Sequence, residues 1–147
     1  MSLPTLEDFT VTDRPEEDLD GLAAWENFGG LTIEEAYTQF CESPDRYQED
    51  FMWMGDRAFA YYFAVVEDYI RKQEPQLEYD GVTYILALDI GMHVPSEKPE
   101  IRRLKARLSS LCDFVLDGLS SLHERPERSR SLLDIAAAWR ALRAKVE

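Results

Sequence analysis

Two histidines, His93 and His123, and two cysteines, Cys41 and Cys112, stand in a chain of 147 residues that carries 29 acids. A metal or di-iron centre in a helical bundle needs Glu-x-x-His pairs or histidines four apart on one helix. Three residues before the histidines stand Ile90 and Ser120, and neither pattern occurs. No D-x-D-x-D-G loop offers a calcium site. P-loop, G-x-G-x-x-G and G-x-S-x-G patterns are missing too, so no cofactor and no metal is expected. Cys41 could pair in space with a histidine as a nucleophile. A reactive thiol needs electropositive surroundings, however, and its own are "FCESPD". Both cysteines read as buried thiols of a reducing cytoplasm. His93, beside Pro95 in a connection, reads as a surface residue. His123 follows the long helix, where an imidazole suits the negative end of the dipole. No catalytic residue is assigned.

Carboxylates are the remaining chemistry. Glu49, Asp50, Glu67 and Asp68 are the acids nearest the aromatic block of the densest mixed stretch, "YQEDFMWMGDRAFAYYF", Tyr47 to Phe63. Two acids sharing a cleft could do acid/base work, although Glu67 and Asp68 fall off the core stripe of their helix and read as solvated. Most of the aromatic density is core. Phe51, Phe59, Tyr62 and Phe63 lie on inner faces, and burying each such ring is worth about 1.5–3 kcal/mol. The residues left over are Glu49, Trp53, Asp56, Tyr61 and Asp68. An exposed Trp and Tyr among carboxylates would form a contact surface for a basic partner. The competing reading has a neighbouring helix covering both rings.

The elements that must position these groups are nearly all helical. Asp13 can cap a helix through "DRPEEDLDGLAAWENF", with Leu19, Leu22, Ala23 and Glu26 on one face. Thr32 and Glu35 form a capping box for the next. Ser43 and Pro44 start a short one, with Tyr47 and Phe51 on a shared face and Arg46 able to pair with Asp50. Asp56 caps a helix from Arg57 to about Lys72, whose stripe is Phe59, Tyr62, Phe63, Val66, Tyr69 and Ile70. Asp80-Gly81 permits a hairpin near residues 77–90, but no other strong strand is available to pair with it, so a buried helix from Val82 to Met92 is preferred. From Pro99, a leucine face runs unbroken from Ile101 to Leu122. Ser131 caps a last helix with Leu132, Ile135, Ala136, Trp139, Leu142 and Val146 aligned. The fold expected is all-α: an irregular single-domain bundle of six or seven helices over residues 1–147, with residues 1–12 an irregular arm.

Charge narrows the function classes. Residues 1–56 hold 15 acids against Arg14 and Arg46, while residues 57–147 hold 14 acids and 14 bases, so the net −13 lies wholly in the first part. Such a field repels nucleic acid and anionic membranes and favours basic partners. The run "RRLKAR", Arg102 to Arg107, is a small basic patch that meets acids of the same fold or sits in solvent. The longest apolar run, Phe59 to Val66, is eight residues, and a membrane span needs about 20. No secretory leader is visible at "MSLPTLEDFT". The reading is an acidic cytoplasmic protein-interaction module, an inhibitor or immunity-type binder of a basic protein. The alternatives are an enzyme or small-ligand binder using a carboxylate- and aromatic-lined cleft, and a homo-oligomer formed through the Ala-rich side of the C-terminal helix.

Overall fold

A computed structural model of the chain describes residues 2–10, 14–72, 81–120 and 129–147. Among them all regular structure is helical. In chain order the helices are α1 (Leu6–Phe9), a 3₁₀ turn (Pro15–Glu17), α2 (Leu19–Phe28), α3 (Ile33–Glu42), α4 (Pro44–Tyr47) and α5 (Asp50–Trp53). They continue with α6 (Asp56–Lys72), α7 (Gly81–His93), α8 (Pro99–Arg102), α9 (Lys105–Ser120) and α10 (Ser129–Val146). None among the described residues is long and apolar enough to cross a membrane.

Helix α6 is the hub because its apolar stripe is the broadest in the chain. Phe59, Tyr62, Phe63, Val65, Val66 and Ile70 are fully enclosed, and α1, α3, α5, α7, α8 and α9 all pack on it. The Tyr62 hydroxyl donates to the carbonyls of Phe28 (2.9 Å) and Leu31 (2.7 Å), which ties down the connection from α2 to α3. A second layer forms where α10 lies on both α9 and α7. There the Trp139 indole donates to the Thr83 carbonyl at 3.1 Å. The hairpin alternative fails over residues 81–90, which are helical; Asp80 and residues 77–79 lie outside the described residues. The Thr32–Glu35 capping box forms with both of its hydrogen bonds.

Four local expectations are corrected. Asp18, not Asp13, caps α2, by accepting from Gly21 N–H at 2.9 Å; Asp13 lies outside the described residues. The buried face is consequently Gly21, Ala24 and Phe28, and Leu19 is left 74% exposed. Phe28 wins the inner position through ring contacts with Tyr47, Phe51 and Tyr62. The leucine face from Ile101 is carried by two helices rather than one. A tight turn with Leu104 N–H on the Ile101 carbonyl (3.0 Å) separates them while keeping both side chains in the core. Cys41 is exposed, one residue round from the buried Phe40; Cys112 is buried as expected. The arm contains the helical turn α1, and its Phe9 is fully enclosed.

Two glycines admit that arm. A Cβ on Gly55 would collide with the Asp8 carbonyl, and one on Gly21 would stand 2.7 Å from the Phe9 carbonyl. The α1 backbone thus threads between α2 and the start of α6. Asp8 fixes it there by accepting from the Arg57 guanidinium at 2.6 Å and from Thr5 N–H at 2.8 Å. Gly55→Ala is expected to cost about 1–3 kcal/mol in urea unfolding, the usual effect of overpacking. An unchanged midpoint would mean α1 does not seat on Gly55.

Candidate functional site

The arm, the turn before α6 and the end of α7 together enclose a cleft of about 600 Å³. Helix α1 contributes Glu7 and Asp8, and the start of α2 contributes Asp18 and Asp20. Trp53 comes from the end of α5, Asp56 and Arg57 from α6, Met92 and His93 from α7, and Lys98 and Glu100 from the α8 region. Six carboxylates face two lysine or arginine side chains. Both of those cations are engaged: Arg57 with Asp8, and Lys98 with Asp56 at 3.5 Å. Glu7, Asp20 and Glu100 have no ion pair among the described residues. Trp53 remains 39% exposed and Met92 58% exposed. The cleft is anionic with an aromatic and a thioether at its rim.

His93 forms its floor, and its place corrects the expectation of a surface residue. The ring is 4% exposed and stacks on Phe59, with centroids 4.2 Å apart and planes 10° from parallel. Nδ1 lies 2.7 Å from Asp56 Oδ1, and Nε2 lies 2.7 Å from the Phe51 carbonyl oxygen. Each ring nitrogen thus faces one acceptor, the Asp56 carboxylate on one side and the Phe51 carbonyl on the other. The hydrogen bond from His93, joined by one from Ser96 and by the charge of Lys98, outweighs burial and brings the Asp56 carboxyl down to about 2. An Asp–His pair also occurs in nucleophile-activating triads, but there the second ring nitrogen faces a nucleophile, whereas here Nε2 faces the Phe51 carbonyl oxygen. The pair is a structural clasp that leaves a fixed anion beside the cleft.

A second acid group lies under α5. Asp89 on α7 is fully enclosed, and among the described residues neither carboxyl oxygen has a hydrogen-bond partner. Burial, reinforced by the charges of Glu49 and Asp50, pushes its carboxyl up to about 9. Asp50 accepts from the Asn27 amide at 2.8 Å, yet burial still raises it to about 6. Among the described residues no cluster of three or more metal-ligating side chains has the geometry to hold an ion. These raised acids are not among the residues lining the cleft, and the cleft's own Asp56 is lowered.

Of the five contact residues expected from the sequence, the structure brings Trp53 and Asp56 together. Glu49 is exposed one turn before Trp53 and acts electrically on Asp50 and Asp89. Tyr61 is half-buried with its ring edge-on to Tyr62 at 4.9 Å, and Asp68 is half-buried, with its charge felt by Tyr37 on α3. Neither borders the cleft. The expected Arg46–Asp50 pair is replaced by Arg46 lying over the Tyr47 ring at 5.2 Å. Within the basic run, Arg107 pairs with Glu67 at 2.8 Å, while Arg102, Arg103 and Lys105 are exposed. Residues the sequence reading missed are Glu7, Asp20, Met92, His93 and Glu100, which are distant in the chain and converge only in the fold. His123 lies outside the described residues. Comparisons with protein-family models, curated proteins and solved structures give no match, so the geometry of the site stands by itself.

Proposed function

We propose that this chain is an acidic protein-interaction module whose cleft takes up lysine or arginine side chains of a basic protein partner, in the manner of an inhibitor or immunity-type binder. The observation that carries this reading is Trp53 standing exposed in a cleft where Glu7, Asp20 and Glu100 have no ion pair among the described residues. A cation over an indole face contributes about 0.5–2 kcal/mol, and convergent carboxylates add steering and orientation. The late arginines support the reading, since Arg107 and Arg143 are occupied by the late acids Glu67, Asp113 and Glu147. Early carboxylates meet late cations at Asp8 and Asp56. The enzyme reading wants raised acids in the cleft, and Asp50 and Asp89 do not line it.

A labelled, unstructured Arg/Lys-rich peptide tests the proposal directly by fluorescence anisotropy. Binding is expected at low salt and should fall steeply toward 1 M. Glu7→Gln, Asp20→Asn and Glu100→Gln combined should weaken it by roughly threefold to a hundredfold, since each exposed charge contributes about 0.2–1 kcal/mol. Binding that ignores both salt and the triple substitution would overturn it.

A further inference from the structure

Helix α7, "GVTYILALDIGMH", is apolar on almost every side, a composition that normally belongs to a helix covered all round. One side is covered: Val82, Leu86, Ala87 and Ile90 are buried where α5 and α10 pack. The other side is open. Tyr84, Leu88 and Met92 recur every four residues and remain 36%, 39% and 58% exposed. The row is about 12 Å long, two turns of helix and a little more. It does not end in neutral surface: Met92 lines the acidic cleft together with Trp53. The Lys145 ammonium of α10 also reaches this end of the helix, 3.4 Å from where a Cβ on Gly91 would be. The cleft's six carboxylates still outnumber the cations there, so the Met92 end of the row is its acidic end.

We infer that Tyr84, Leu88, Met92 and Trp53 seat an amphipathic helix of the basic partner, with its apolar face along the row and its Lys/Arg-rich end in the cleft. The inference rests on the cleft reading above and adds the form of the partner. Anchors at i, i+4 and i+7 or i+8 of a docking helix match a row of this spacing. The occupant is chosen by charge complementarity. A second copy of this chain would bring another net −13 and another acidic cleft against the first, a like-charge approach that opposes association. A helix with cations at one end meets the opposite field, and the negative end of the α7 dipole points the same way.

Two labelled peptides of identical composition decide it. One places leucines on a single helical face and Lys/Arg at one end; the other is scrambled. The facial peptide is expected to bind about tenfold or more tighter, as burial of central anchors requires, and to gain helical circular dichroism on binding. Leu88→Ser with Met92→Ser should erase the difference between the two peptides. Equal affinities would overturn the helix seat while leaving the cation-binding cleft intact. Failure of both peptides to bind at low salt would remove the cleft reading and this inference together. Concentration-dependent dimerisation that Leu88→Ser abolishes would assign the row to a second copy and overturn the proposal.

Discussion

Asp89→Asn is expected to stabilise the protein at pH 7 by about 4 kcal/mol and to flatten its dependence on pH. The sign follows from proton counting. In the unfolded chain Asp89 ionises near its ordinary 3.8, whereas in the fold it keeps its proton up to about 9. Between those values the folded state binds one more proton than the unfolded state, so stability declines by about 1.4 kcal/mol per pH unit as pH rises. At pH 7 the cost depends on the unfolded value and hardly on the folded one, provided the folded carboxyl stays above neutrality. Its surroundings ensure that, because Glu49 and Asp50 add negative charge and no donor among the described residues reaches either oxygen. Asp50, raised to about 6, contributes with the same sign over a narrower window and is shared by both proteins. Asp89→Leu should gain more, since it also removes a buried polar group without a partner, worth about 1–3 kcal/mol. Urea unfolding across pH 4.5–8 reads the difference. Parallel profiles for wild type and Asp89→Asn would show that the carboxyl ionises freely in the fold.

The contrast between α6 and α2 shows how far periodicity reaches. In α6 the apolar residues outnumber the positions the core can accept on one side, so spacing alone placed Phe59, Tyr62, Phe63, Val66 and Ile70 inward. In α10 the same held for Leu132, Ile135, Trp139 and Leu142. Helix α2 has apolar residues on more than one side, and which of them turned inward depended on Gly21 receiving the α1 backbone and on Phe28 meeting three rings from elsewhere. Those are long-range facts with no local signal. The site divides in the same way. Trp53 and Asp56 are three residues apart and could be read together, whereas Glu7, Asp20, Met92 and Glu100 join them through tertiary packing. Tyr61 and Asp68 share the helix of Asp56 but lie on other turns of it, where helical phase does not report which side a neighbour leaves open.

His93→Leu is expected to cost about 2–5 kcal/mol, because a buried carbonyl and a half-buried carboxylate each lose a donor worth about 1–3 kcal/mol, and to loosen Trp53 as well. Three elements meet at this ring: α7 carries it, Asp56 at the start of α6 accepts from Nδ1, and the Phe51 carbonyl of α5 accepts from Nε2. Leucine keeps apolar bulk against Phe59 but supplies neither donor, so the buried Phe51 carbonyl loses its partner and Asp56 is left with Ser96 and Lys98. Helix α5 is a single turn of four residues, too short to hold itself without tertiary anchors. Releasing the Phe51 carbonyl should therefore free the turn that presents Trp53 to the cleft, weakening cationic-peptide binding although the imidazole is buried beneath it. A separate readout distinguishes this clasp from simple loss of packing. The Asp56 carboxyl, held at about 2 chiefly by the histidine, contributes stability that is present above its ordinary 3.8 and is lost as pH falls toward 2. Without His93 the largest lowering influence disappears while burial, which raises it, persists. The Asp56 titration followed by carboxyl NMR should then move upward, and the stability gap between wild type and variant should narrow as pH falls from about 4 toward 2. An unmoved Asp56 titration would mean that His93 acts as filling alone, and that Trp53 is positioned by something else.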